Sequence, residues 1–173
     1  MNAKLKRTPA IVLVGFMGSG KSTVGKRLAA KLGWEFCDID EEIEREQGMT
    51  ISAIFEKQGE PAFRAIEAEA IRKRVQALGE GRPTVVALGG GAFVQPGNAE
   101  FLLENTVTVW LDIPIEIMRS RVEGHSHRPL ACDPKRFEEL YHARRPAYAR
   151  AEYRVAATSS DQAVEAILAL PIF

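Results

Sequence analysis

The chain has 173 residues, 46% hydrophobic and 27% charged, a size and balance that suit one compact α/β domain with a real core. Lysine plus arginine and aspartate plus glutamate each number 23, so the net charge is zero; the basic excess of a nucleic-acid binder is missing. No apolar run is long enough to span a membrane. The run after Pro9 stops at Gly15, too early for a secretory segment. Cys37 and Cys132 show no CxxC or regular spacing, which predicts free thiols in a reducing cytoplasm.

In chain order, Ala10-Ile11-Val12-Leu13-Val14 reads as a buried strand, followed by a glycine-rich stretch and a helix over about 22–32. Trp34-Glu35-Phe36-Cys37 is a weaker strand. A helix is expected over 60–78, strands over 84–88 and 106–111, helices over 114–123 and 134–150, a weak strand over 153–156 and a helix over 160–170. Strands separated by helices predict a parallel sheet covered on both faces. Such sheets bind ligands at the carboxyl ends of their strands, so chemistry is sought in the residues just beyond each strand.

After the first strand stands Gly15-x4-Gly20-Lys21-Ser22, the P-loop pattern in its strand–loop–helix setting. Its glycines let backbone N–H groups curl around one anion, and the next helix points its positive end there. Lys21 reaches β- and γ-phosphates, and the Ser22 hydroxyl suits magnesium. After the second strand comes Asp38-Ile39-Asp40-Glu41-Glu42. At a strand end Asp38 and Asp40 would point the same way, one toward the water shell of magnesium and one toward a hydroxyl nucleophile. Asp40 also reads as a helix N-cap. Arg64, in Gly59-Glu60-Pro61-Ala62-Phe63-Arg64-Ala65-Ile66-Glu67, reads either as a surface ion pair with Glu60 and Glu67 or as a fork for a substrate carboxylate. Gly89-Gly90-Gly91 comes after the third strand; it is either a tight turn or a place where backbone closely approaches a ligand.

Two arginine-bearing stretches come late. Residues 121–130 hold Arg121, Gly124, His125, His127, Arg128 and Pro129. They read as a loop that closes over a triphosphate, or as a solvated basic loop. The spacing of His125, His127 and Cys132 matches no familiar zinc pattern. Arg144-Arg145-Pro146-Ala147-Tyr148 places two arginines before a proline in a helical pattern, marking a kink or an exposed face.

The segments GFMGSGKSTVGKRLA (15–29), DID followed by EIE (38–44), GEPAFRAIE (59–67), GGGA (89–92), RPL (128–130) and RRPAY (144–148) together resemble the shikimate kinase family over essentially the whole chain. The resemblance implies a three-layer P-loop kinase fold: one α/β domain over 1–173, a five-stranded parallel sheet, a substrate-binding excursion at about 38–72 and a lid at about 119–134. It implies transfer of the ATP γ-phosphoryl group to the 3-hydroxyl of shikimate, with Mg2+ as cofactor; charge and apolar patterning predict no nucleic-acid or membrane partner, the cysteines a cytoplasmic setting, and the lack of a leftover apolar surface stripe a monomer. Gly18, Ser19, Gly20, Lys21, Ser22 and Thr23 would wrap the phosphates. Ser22 would ligate magnesium and Asp38 would hold it through water. Asp40 would hold the attacking hydroxyl, and Arg64 and Arg144 the carboxylate. Gly89, Gly90 and Gly91 would meet the substrate through backbone, and Phe55 and Phe63 would pack on its ring. Arg121 would lie against adenine and Arg128 on the phosphates. Lys21, Asp40 and Arg128 would be the catalytic set. Two departures stand out: Ala131 replaces an apolar lid residue that relatives carry, and Arg145 stands beside Arg144.

Overall fold

The computed structural model of the protein describes residues 2–79, 81–123 and 133–173. Its elements run α1 (Ala3–Arg7), β1 (Ala10–Val14), α2 (Lys21–Leu32), β2 (Glu35–Asp38), α3 (Ile39–Gln47), α4 (Ile51–Gln58), α5 (Glu60–Leu78), β3 (Thr84–Ala87), α6 (Pro96–Asn105), β4 (Val107–Asp112), α7 (Ile115–Glu123), α8 (Pro134–Tyr148), β5 (Tyr153–Ala156) and α9 (Ser160–Leu168). The five strands form one parallel sheet in the order β2-β3-β1-β4-β5. β1 lies at its centre, Ile11 standing opposite Val85 on one side and Val107 on the other.

The expected α/β architecture is therefore present, and the reason lies in composition. Every residue of β1 is buried, which a continuous apolar strand requires of the layers on both its faces. Helices supply them: Val24, Leu28 and Ala29 of α2, Ile71, Val75 and Leu78 of α5, and Ala163, Val164 and Ile167 of α9 all join the core. Because all strands run the same way, the loops leaving β1, β2, β3 and β4 emerge at one edge of the sheet.

Three strands shift by a residue or so at their ends: β2 is Glu35–Asp38, β3 stops at Ala87 and β4 runs to Asp112. Helices α1, α4 and α6 lie where no helix was expected. α4 is capped by Thr50, whose side chain accepts from the Ala53 amide; α6 begins Pro96-Gly97 with no side-chain cap at Gln95, a poor helix signal read alone. The Asp38–Asp40 expectation needs correcting on two points. β2 ends at Asp38, so Asp40 sits in the first turn of α3 and the two-residue strand repeat does not align the two carboxylates. The cap of α3 is Asp38, which accepts from the amides of Asp40 and Glu41 at 3.0 and 3.3 Å, so the cap is not Asp40.

Candidate active site

The loop between β1 and α2 wraps tightly. Gly18 has φ +80°, and a β-carbon there would lie 2.8 Å from the Met118 carbonyl oxygen and from Val122 Cγ2. Only glycine lets the loop pack against α7. The Gly20 cap of α2 has no side chain to bond the N–H groups of the first turn, and that helix head opens on the loop. Lys21 Nζ donates to the carbonyls of Gly15 (2.7 Å) and Phe16 (3.0 Å). Ser19 is buried, and its amide donates to the Phe16 carbonyl; Thr23 is exposed at the first turn of α2. Arg121 Nη1 donates to the Gly18 carbonyl at 3.0 Å. A β-carbon at Gly20 would lie 3.3 Å from Arg121 Nη1 and 3.6 Å from Ser160 Oγ. Arg121 on α7 and Ser160 at the start of α9 thus flank the far side of the loop.

Ser22 Oγ donates to Asp38 Oδ2 at 2.7 Å. A hydroxyl and a carboxylate here meet at a helix head, a hard all-oxygen pair of the kind that holds Mg2+ together with phosphate and water oxygens. Among the described residues no group of three or more His, Cys, Asp or Glu converges as a protein metal cage.

The glycine triplet brings the remaining predicted residues together. A β-carbon at Gly89 would lie 2.9 and 3.0 Å from the two carboxylate oxygens of Asp40. One at Gly90 would lie 3.2 Å from Arg144 Nη1, 3.5 Å from the Met17 amide nitrogen and 3.7 Å from the Gly15 carbonyl. One at Gly91 would run into the Arg64 guanidinium. Three successive glycines thus face Asp40, Arg144 and Arg64 in turn, and the middle one touches the P-loop. Side chains at these three positions would push Asp40, Arg144 and Arg64 out of their present places.

Arg64 makes both of the ion pairs that the sequence offers it. Its Nη1 donates to Glu67 at 2.8 Å and its Nη2 to Glu60 at 3.4 Å. The Glu67 partner is not at the surface, however; its side chain is 1% exposed. Burial pushes the Glu67 carboxyl above its ordinary range, while Arg64 and, more weakly, Arg144 pull it back and Asp40 adds to the rise. Phe63 is buried with Arg64 over its ring, and the half-buried Phe55 packs on it at 4.7 Å between centroids. Arg144 stands over Phe16.

Several residues of this site carry no role that sequence alone discloses. Glu67 reads there only as a surface partner. Tyr148, inside the RRPAY segment, donates its hydroxyl to the Gly90 carbonyl at 2.5 Å; burial pushes its phenol up to about 12. Its position four residues after Arg144 is the available signal. Ser160 has none. Arg145, which sequence leaves able to share the work of Arg144, turns away to Asp112 at 2.8 Å. Arg128, His125, His127, Ala131 and Cys132 lie outside the described residues.

Comparison with known proteins agrees with this geometry. The family model for shikimate kinase matches residues 17–170. The chain is 45% identical over 146 residues to a shikimate kinase of Persephonella marina, covering 84% of this chain and 87% of that one. The structure of a shikimate kinase from Acinetobacter baumannii in complex with shikimate superposes with a TM-score of 0.85 at 37% identity, covering 95% of this chain and 93% of the other. A gluconokinase from Sinorhizobium meliloti, 22% identical with a TM-score of 0.58 and covering 94% and 91% of the two chains, shares the fold alone. With the P-loop, the glycine triplet and the whole length of the sheet accounted for, the chain belongs to the shikimate kinase family.

Proposed function

We propose that the protein transfers the γ-phosphoryl group of ATP to the 3-hydroxyl of shikimate, giving shikimate 3-phosphate and ADP on the route to chorismate and the aromatic amino acids. The observation that carries this reading is the glycine triplet, which faces Asp40, Arg144 and Arg64 while its middle residue abuts the phosphate loop. An acceptor resting on that backbone lies next to the triphosphate. Shikimate has one carboxylate and three hydroxyls; Arg64 and Arg144 meet the first as guanidinium forks, and Asp40 with the N–H groups of the triplet meets the others.

Asp40 accepts a hydrogen bond from the 3-hydroxyl and orients its oxygen toward the γ-phosphorus. The new O–P bond forms as the bond from phosphorus to the β–γ bridging oxygen breaks and ADP leaves, while the proton of the 3-hydroxyl passes to the Asp40 carboxylate and from there to solvent. Such a loose transition state asks mainly for alignment and positive charge. Gly18–Thr23 wrap the phosphates, Lys21, Arg128 and the N-terminus of α2 supply positive charge to them, and Arg121 lies against the adenine. Phe55 and Phe63 form the apolar wall beside the acceptor ring. Ser22 would ligate Mg2+ directly and Asp38 would hold it through water, and the ion would neutralise phosphate charge when bound. On this reading residues 1–173 work as one domain, a cytoplasmic monomer, with 38–72 as the acceptor region and 119–134 as the lid.

The test is ADP release from Mg-ATP with shikimate, with gluconate or with no acceptor, for wild type and Asp40→Ala. Turnover that requires shikimate and collapses in the variant is expected. Equal slow hydrolysis with every acceptor would leave only a nucleotide-binding loop.

A further inference from the structure

Arg144 and Arg145 are neighbours on α8, about 100° apart around its axis, and they go to different places. Arg144 faces the glycine triplet. Arg145 grips Asp112, the last residue of β4, through Nη1 to Oδ1 at 2.8 Å and Nη2 to Oδ2 at 3.4 Å. Its Nη1 also donates to Tyr141 Oη at 2.7 Å, and its guanidinium lies over the rings of Trp110 and Tyr141 at 4.9 and 5.1 Å. The Asp112 side chain is only 10% exposed, and Arg154 Nε of β5 donates to its Oδ2 at 2.8 Å. One carboxylate therefore holds two guanidiniums, and both lie over Trp110.

The next residue, Pro146, lies inside the helix and has no N–H for the carbonyl of His142. The helix is thus weakest in its own backbone bonding at the turn that carries Arg144. Side-chain anchors stand on both sides of that weak point: Arg145 on Asp112 and Tyr148 on the Gly90 carbonyl. We infer that Asp112 and Arg145 are positioning residues for Arg144: they pin its turn of α8 to the end of β4, so that its guanidinium meets the acceptor's carboxylate in register. This rests on the role given to Arg144 above. A binding fork must be held to a fraction of an ångström by its supporting contacts, and an exposed ion pair would not do this; a forked, stacked pair on a mostly buried carboxylate does. Asparagine at 112 would leave Arg145 and Arg154 facing each other without a counter-charge, so Arg145 would leave its place.

The experiment measures KM for shikimate, KM for ATP, kcat and Tm in Arg145→Lys, Asp112→Asn, Arg144→Ala and the double variant Arg144→Ala/Arg145→Lys. Arg145→Lys keeps the cation but loses the fork, and it carries the test if Asp112→Asn does not fold. Expected for Arg145→Lys and Asp112→Asn is a shikimate KM raised about tenfold with the ATP KM unmoved. Because Arg145 acts through Arg144, the double variant should bind shikimate no more weakly than Arg144→Ala alone. A folded Arg145→Lys enzyme with an unchanged shikimate KM overturns the inference, as do effects that multiply in the double variant. Either result leaves the site reading intact provided Arg144→Ala itself raises the shikimate KM. If Arg144→Ala leaves that constant unchanged, the role of Arg144 is wrong and the inference falls with it.

Discussion

Asp40, Glu67 and Gly91 show how single residues divide the work. Asp40 is held in the first turn of α3 with its carboxylate against Gly89. Asp40→Ala is expected to lower shikimate-dependent ADP release by about 10²- to 10⁴-fold while ATP still raises Tm. Gly91 has no room for a methyl group beside Arg64. Gly91→Ala should therefore displace the guanidinium and raise the shikimate KM about tenfold or more, with little change in that for ATP. Glu67 is a buried carboxyl held chiefly by Arg64, and burial raises it above its ordinary 4.5. Its contribution to stability is therefore full below about 4.5 and is lost as pH rises through the raised value. Denaturant titrations in the weakly acidic range should show a flatter pH dependence for Glu67→Gln than for wild type, and an equal slope in both would contradict the assignment.

At the scale of elements, the β1–loop–α2 unit is local and self-describing. An apolar strand, a glycine loop and a helix head lie within 23 consecutive residues (10–32), and the chemistry of each residue type dictates its place. Gly18 adds a longer-range constraint, since α7 packs on it. Gly18→Ala combines a positive φ with a backbone clash, so it should cost about 1–3 kcal/mol of stability and weaken ATP binding together. Thermal melts with and without nucleotide would show both effects. Helices α4 and α6 are harder to read, because eight- and ten-residue helices form marginally on their own and owe their stability to packing. Ile54 of α4 and Leu102 of α6 are fully buried, a fact that no short window of sequence displays.

For the molecule as a whole, burial sets an alkaline limit. Burial pushes the Cys37 thiol from 9.0 up to about 11 and the Tyr148 phenol from 10.0 up to about 12. Both groups are neutral when protonated, so the folded state prefers the proton. Their stabilisation is complete below the ordinary values and is lost as pH rises, through 9–11 for the thiol and 10–12 for the phenol. Stability should fall steeply across that range, and Tyr148→Phe should remove the upper part of the slope. Unfolding free energies measured from pH 8 to 12 would check this. A bound acceptor acts globally by mass action: shikimate should raise Tm in proportion to the logarithm of its concentration, and gluconate should not.

Residue types and spacing alone were enough for the parallel sheet, the phosphate loop and the set of side chains to watch, because each depends on periodicity or on the conformational freedom of a few adjacent residues. How those side chains meet could not be read that way. Asp40, Arg64, Gly89 to Gly91 and Arg144 are scattered over more than half of the chain, and the strand order β2-β3-β1 is what lays the ends of β2 and β3 beside the P-loop. Whether Arg145 shares the place of Arg144 was likewise open until Asp112, 33 positions from Arg145 in sequence, claimed it. The burial that turns Glu67 from a surface partner into an anchor is a property of packing, because solvent exposure depends on every layer of the fold at once.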